Sequence, residues 1–313
     1  MELVIAFALI ASFFMGLSIG ASSVAPAFAP VNSSGPSSVL RLALIAGIFA
    51  FIGSVVQGGN VTETVGAGIL TDDIDVLQAA SILLVGSTLV IVSVLTDYPM
   101  PTAFTVVGAV IGSGLGFGSE VIWGSVGEIV LFWIATPFLS AGLGYVFAKI
   151  LRKYIPKEGS ERLIKYLLLI SGSYVAYTAG AASVGLAVGP LGSLDYSLMI
   201  LLIFGGFSIL LGSWLYSPRI IKAVSYDYSN IGPRRSVAAL ASSGLLAQAG
   251  IQLGIPVSFN LAIVAAVIGS GLVEGKENKG DEKIIYTVTA WIGAFILAIL
   301  LTYTLGLIAT NYL

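Results

Sequence analysis

Cysteine and histidine are both missing from the 313 residues. Without cysteine there is no disulfide, no thiolate metal site and no thiol nucleophile. Without histidine there is no imidazole ligand and no imidazole proton relay. Any proton carrier has to be Asp, Glu, Lys or Tyr. Charge is scarce too: Asp, Glu, Lys and Arg together make 10% of the chain, and the net charge is −2. A soluble domain carries about 25% charged residues, so these few could not cover a water-facing surface. The near-neutral balance also offers no footprint for a polyanion, which excludes nucleic acid as a partner.

What is present is apolar. Hydrophobic residues make 57% of the chain and glycine contributes 38 residues. The mean hydropathy is +1.01. This is the composition of an all-α polytopic membrane protein, placed in the cell membrane with the lipid bilayer as its solvent. Apolar runs fall near 3–19, 40–57, 77–96, 100–117 and 121–150, then near 163–182, 194–216, 236–253, 256–274 and 284–310. They predict about ten hydrophobic segments. Several are rich in Gly and Pro, so some helices are expected to be broken or re-entrant. Met1-Glu2 leads into the first run without the basic stretch of a cleaved signal, so that run reads as the first span.

Charge orients these segments. Arg152, Lys153, Lys157, Arg162 and Lys165 occupy the central break. Arg219, Lys222, Arg234 and Arg235 follow the seventh run, and Lys276, Lys279 and Lys283 follow the ninth. Asp72, Asp73 and Asp75 share a break with no base. Basic loops in the cytoplasm place the acidic loop and both termini outside, as ten crossings require.

The chain also repeats itself. GASSVAPAFAP at 20–30 resembles GAASVGLAVGP at 180–190, GAVIGSGLG at 108–116 resembles AAVIGSGL at 265–272, and FWIATPFLSAGLGYVF at 132–147 resembles AWIGAFILAILLTYTL at 290–305. The order is the same and the offset is about 157 residues each time. The halves are 1–155 and 156–313. Each holds five segments, an odd number, so the second copy enters the membrane from the opposite side. Such inverted-topology repeats are a signature of secondary transporters, in which exchanging the two halves' conformations gives alternating access.

Four stretches place small and hydroxyl residues at membrane depth. They contain Ser22 and Ser23, Ser183, Thr102 and Thr105, and Ser258 and Asn260. In the last two, Pro99-Met100-Pro101-Thr102 and Pro256-Val257-Ser258-Phe259-Asn260 precede apolar helices, a helix-start signal. A helix N-terminus inside the bilayer presents free N–H groups and a positive dipole end. Two such ends, one per half, form a donor-lined pocket for a tetrahedral oxyanion. For any one hydroxyl, bonding back to the preceding turn is the ordinary role. It is the matched pair of turns that reads as a site. Glu63, flanked by Gln57 and Thr64, is the acid nearest membrane depth and the candidate coupling group. Its alternative place is the outer surface beside Asp72 and Asp73. No paired acids sit at one depth, so no catalytic centre and no metal site are read, and no cofactor is expected.

These residues resemble the inorganic phosphate transporter (PiT) family over nearly the whole chain. The family's GANDVANA motifs match Gly20 to Ala27 and Gly180 to Ala187. Its VTET motif stands intact at Val61-Thr62-Glu63-Thr64, its PVSTTH turns match Pro99 to Phe104 and Pro256 to Leu261, and its FWIVSP stretch matches Phe132 to Pro137. The resemblance implies a secondary active transporter and not an enzyme. The family's Asn-Asp pairs, associated with sodium and phosphate binding, are Ser22-Ser23 and Ala182-Ser183 here. Protons are therefore favoured over sodium as the coupling ion. Sulfate offers only acceptors, whereas phosphate at neutral pH keeps a proton that a carboxylate can accept. A donor set without acids is expected to bind sulfate first. The first motif is similar to that of the CysP-type sulfate permease branch. Phosphate transport, coupled to sodium or protons, and an anion uniporter or channel stay open as alternatives, as does a homodimer.

Overall fold

The computed structural model describes residues 2–24, 27–33, 38–96, 101–156, 158–192, 194, 196–229, 231–273 and 281–312. Pro26, Pro99, Met100, Lys157, Lys276 and Lys279 lie outside them, as do the side chains of Arg219, Lys222 and Lys283. In chain order the helices are α1 (Glu2–Ile19), α2 (Ala29–Ser33), α3 (Val39–Gln57), α4 (Gly59–Ala67), α5 (Val76–Thr96), α6 (Thr102–Phe117) and α7 (Trp123–Tyr154). They continue with α8 (Glu161–Val188), α9 (Leu198–Ser229), α10 (Pro233–Gln252), α11 (Phe259–Leu272) and α12 (Asp281–Tyr312). Apart from the short α2 and α4, each helix falls on one of the apolar runs. Six are long and apolar enough to cross a bilayer among the described residues. The segments Val76–Val92, Thr102–Phe117 and Phe259–Leu272 are apolar but shorter. α10 is long enough but interrupted by Arg234, Arg235, Gln248 and Gln252.

Local chemistry sets the ends. At α5 the Asp75 carboxylate accepts from the Gln78 N–H at 2.8 Å, while Gln78 Oε1 accepts from the Asp75 N–H at 3.4 Å. This is a reciprocal capping box. α6 stops at Gly118, whose φ of 86° is left-handed. Arg152 at the end of α7 donates to the Val273 carbonyl at 2.9 Å and fastens the far end of α11. The first motif is not α-helical: Gly20–Val24 form a π-helical turn at the end of α1. The second motif runs on within α8 and ends in a 3₁₀ turn, Gly189–Leu191.

The two sequence halves interlock rather than pack as separate bodies. α6 lies along α12, α11 along α7, α1 across α9 and α8 across α3. Glycine makes these crossings possible. A Cβ on Gly20 would strike the Ile209 carbonyl on α9, and one on Gly180 would strike the Ala50 carbonyl on α3. Gly53 lies on Tyr177 and Gly212 on Leu17 in the same reciprocal way. These are two copies of one crossing with the halves exchanged, as inverted repeats demand. On α6, Gly108, Gly112 and Gly116 abut the carbonyls of Phe295, Ile299 and Tyr303. On α11, Gly269 abuts Ala141, and on α7 Gly144 abuts Ala266. Small residues at such spacings let backbones approach where lipid removes the hydrophobic drive for helix association.

Gly112→Val should therefore lower stability by about 1–3 kcal/mol, the usual cost of overpacking. Gly127 on α7 has open space where a Cβ would go, so Gly127→Ala should not. Thermal unfolding of the purified protein in detergent compares the two.

Candidate anion site

The site is built from two short helices. α6 has 16 residues and α11 has 14, which gives lengths of about 24 and 21 Å at ~1.5 Å per residue. The hydrocarbon core is about 30 Å thick. In the sequence α6 is followed by Glu120, and α11 by Glu274, Lys276, Glu277, Lys279 and Asp281. Pro101 and Ser258 are the N-cap residues, at matching repeat positions, and neither side chain caps its helix.

Ser258 is 3% exposed, and its Oγ is buried with no hydrogen-bond partner. An orphaned hydroxyl costs about 1–3 kcal/mol, which a ligand could offset. Thr102 is buried at the start of α6, and Asn260 is half-buried in the first turn of α11. Thr105 is fully buried and donates its hydroxyl proton to the Pro101 carbonyl at 3.0 Å. That proton is committed to the helix.

Both N-termini meet one residue that the sequence reading passed over. Trp133 on α7 is buried, and its Nε1–H donates to the Pro256 carbonyl at 2.8 Å. Its ring stacks on Phe104 of α6, with centroids 3.8 Å apart and planes 13° apart. The available signal was the repeated tryptophan, Trp133 in FWIATP and Trp291 in AWIGAF. Behind these rings lies an apolar cavity of about 380 Å³, lined by Phe104, Trp133, Leu261, Trp291 and Phe295 among others. It offers an anion no donors.

The serines of the two motifs lie on the π-helical turn and on α8. The π-helical turn packs against α8 and α9. Ser22 is half-buried and donates to the Ser18 carbonyl at 2.8 Å, with Ser23 Oγ 3.4 Å away. Ser23 and Ser183 are buried. Among the described residues no hydrogen bond joins these serines to Thr102, Ser258 or Asn260.

The three coupling candidates are divided. α4 buries Val61, Thr62 and Val65, and this face packs on the glycines of α8 and its 3₁₀ turn, Gly185 and Gly189. Glu63 is on the opposite, exposed face. It lines a groove of about 370 Å³ with Asn60, Thr64, Gln252, Leu253 and Gly254. Thr64 Oγ1 donates to the Asn60 carbonyl at 3.2 Å, and Asn60 Nδ2 to the Ile251 carbonyl at 3.4 Å. Gln57 lies elsewhere, in an amide chain between the halves. Gln248 Nε2 donates to Gln57 Oε1 at 3.1 Å, and the Tyr174 hydroxyl donates to Gln248 Oε1 at 3.5 Å. Gln248 and Tyr174 are not in any motif, so nothing in the sequence marked them.

The helices of the two halves interlock, and the starts of α6 and α11 both contact Trp133, an arrangement suited to a membrane transporter. Comparison with known proteins agrees. The model of the phosphate transporter family (PHO4) matches residues 19–302, and the chain belongs to this family. Sulfate permease CysP of Bacillus subtilis (strain 168) is 32% identical, over 95% of this chain and 86% of its own. A putative phosphate permease of Methanocaldococcus jannaschii is 27% identical, over 97% and 98%. A solved structure described as the sodium-dependent phosphate transporter shares the fold, with a TM-score of 0.88 over 99% of this chain and 100% of that one at 20% identity. The chain is thus a multi-pass membrane transporter of an inorganic anion, and its family is one of permeases rather than enzymes.

Removing an orphaned buried hydroxyl should stabilise the empty protein. Ser258→Ala is expected to raise stability by about 1 kcal/mol in anion-free buffer. A loss of that size in thermal unfolding would mean that the hydroxyl has a partner within the protein.

Proposed function

We propose that the chain carries sulfate across the cell membrane by alternating access, in symport with protons. One observation carries the reading: the candidate residues Ser22, Ser23, Thr102, Ser183, Ser258 and Asn260 include no carboxylate, while the acid Glu63 lines a groove that none of them enters. Sulfate carries no proton and accepts at every oxygen. Hydroxyls, an amide and the N–H groups at the starts of α6 and α11 suit it, and the positive helix ends offset its charge. Hydrogen phosphate would bring a donor with no anionic acceptor to meet it. The similarity to a sulfate permease supports the same choice.

The coupling ion follows from the same substitutions. Sodium is held by several oxygens, best with a carboxylate among them. The positions that would supply one are Ser23 and Ser183. Glu63 is left as the carboxylate able to take up and release a proton, with Thr64 beside it in the groove and Gln57 between the halves. Thr105 and Ser22 contribute least as donors, since their protons are committed to the Pro101 and Ser18 carbonyls. Residues 1–155 and 156–313 act as the two repeats whose conformations exchange in the cycle. A second reading, phosphate transport on the same site, has support from relatives described as putative phosphate permeases, which are more numerous.

Proteoliposomes given radiolabelled sulfate under a proton gradient, a sodium gradient or none distinguish these. The expected result is saturable uptake that needs the proton gradient and survives excess phosphate. Glu63→Gln should cut gradient-driven uptake at least about tenfold while sulfate exchange at equal pH persists. Sodium-driven uptake blocked by phosphate would replace the sulfate reading with the phosphate one.

A further inference from the structure

We propose that Trp133 is a positioning residue for the transported anion: it sets the place of the Ser258 hydroxyl relative to the start of α6. The inference rests on Ser258 being an anion donor. Trp133 belongs to the first repeat and Pro256 to the second, so its indole N–H holds a turn of the opposite half. Two helical turns further along α7, Ser140 Oγ donates to the Ala262 carbonyl at 2.6 Å. These two bonds fall on either side of Ser258. The turn that carries the orphaned hydroxyl is therefore fastened at both ends by one helix.

The other face of the indole fixes the second helix. Phe104 stands two residues after Thr102, and its ring stacks on Trp133. Phe295 and the indole are perpendicular, with centroids 6.1 Å apart and planes at 87°. One side chain thus spaces both N-termini. The indole N–H is a donor with no acceptor capacity, which suits a buried carbonyl ahead of the helix ladder. If that donor is lost, the Pro256 carbonyl is unpaired in a buried place, and the turn shifts to find another partner. Donor sets are sensitive to such shifts: a displacement of about 1 Å at a site can cost on the order of a hundredfold. The fold does not depend on the same bond, because the glycine crossings and Ser140 already join α7 to α11.

The test uses purified protein in proteoliposomes and radiolabelled sulfate, or radiolabelled phosphate if that is the anion the wild type carries. Trp133→Phe keeps an aromatic ring and removes the N–H. It is expected to raise KM about tenfold, with Vmax within about twofold of wild type and an unaltered unfolding midpoint. Ser258→Ala is measured beside it. A raised KM in Ser258→Ala with a wild-type KM in Trp133→Phe overturns the Trp133 inference alone. An unchanged KM in Ser258→Ala overturns the anion reading of Ser258 and the inference with it. A fall in Vmax and folded yield at constant KM gives Trp133 a structural role only and also overturns it. If Trp133→Phe does not fold, Phe104→Leu, which removes the ring stack and leaves the N–H bond, is judged by the same KM and Vmax criteria.

Discussion

The architecture depends on one kind of contact, a glycine Cα laid against a carbonyl of a crossing helix. In lipid the flanks of a helix gain nothing by leaving solvent for protein, so association relies on close packing. Gly20 on Ile209, Gly180 on Ala50, Gly53 on Tyr177 and Gly212 on Leu17 supply it where the two halves cross. Gly108, Gly112 and Gly116 supply it between α6 and α12. A side chain at any of these would force the helices apart. The abundance of glycine, which in a soluble helix would be a weakness, is here what allows the helices to pack.

Because the crossings join opposite halves, neither half is a free-standing body. The first motif shows the local consequence. Gly20 begins the π-helical turn where α1 crosses α9, and the turn places Ser22 half-buried beside buried Ser23. Widened turns of this kind are frequent at functional positions. The matching motif on α8 stays α-helical, so the two repeats are alike in packing and unlike in the backbone that presents their serines.

Transport chemistry is then a matter of unspent hydrogen-bonding capacity. Most of the buried serine and threonine hydroxyls among the described residues are committed to a carbonyl one turn back, as at Ser54, Thr62 and Thr136. Such bonds quiet a polar group in an apolar medium. Ser258 departs from that pattern, being buried, placed at a helix start and unpartnered. Exposed Glu63 lines a polar groove whose lining does not include Ser258.

Much of this was legible in the sequence. Hydropathy located most of the helices within a few residues, but α9 continues beyond its apolar run, which ends near 216, to Ser229, so Arg219 and Lys222 fall within a helix and not in a break. The repeated motifs fixed which segments are equivalent, and the proline turns marked the starts of α6 and α11 because proline suits a helix start and disrupts an interior. The pairing of α6 with α12 and of α11 with α7 was not legible. Glycine spacing shows that a face is flat and does not name its partner. The same holds for the committed proton of Thr105, the orphaned one of Ser258, the divided fates of Glu63 and Gln57, and the reach of Trp133 into the opposite half. Each depends on which atoms of distant segments meet, and that was decided only when the helices packed.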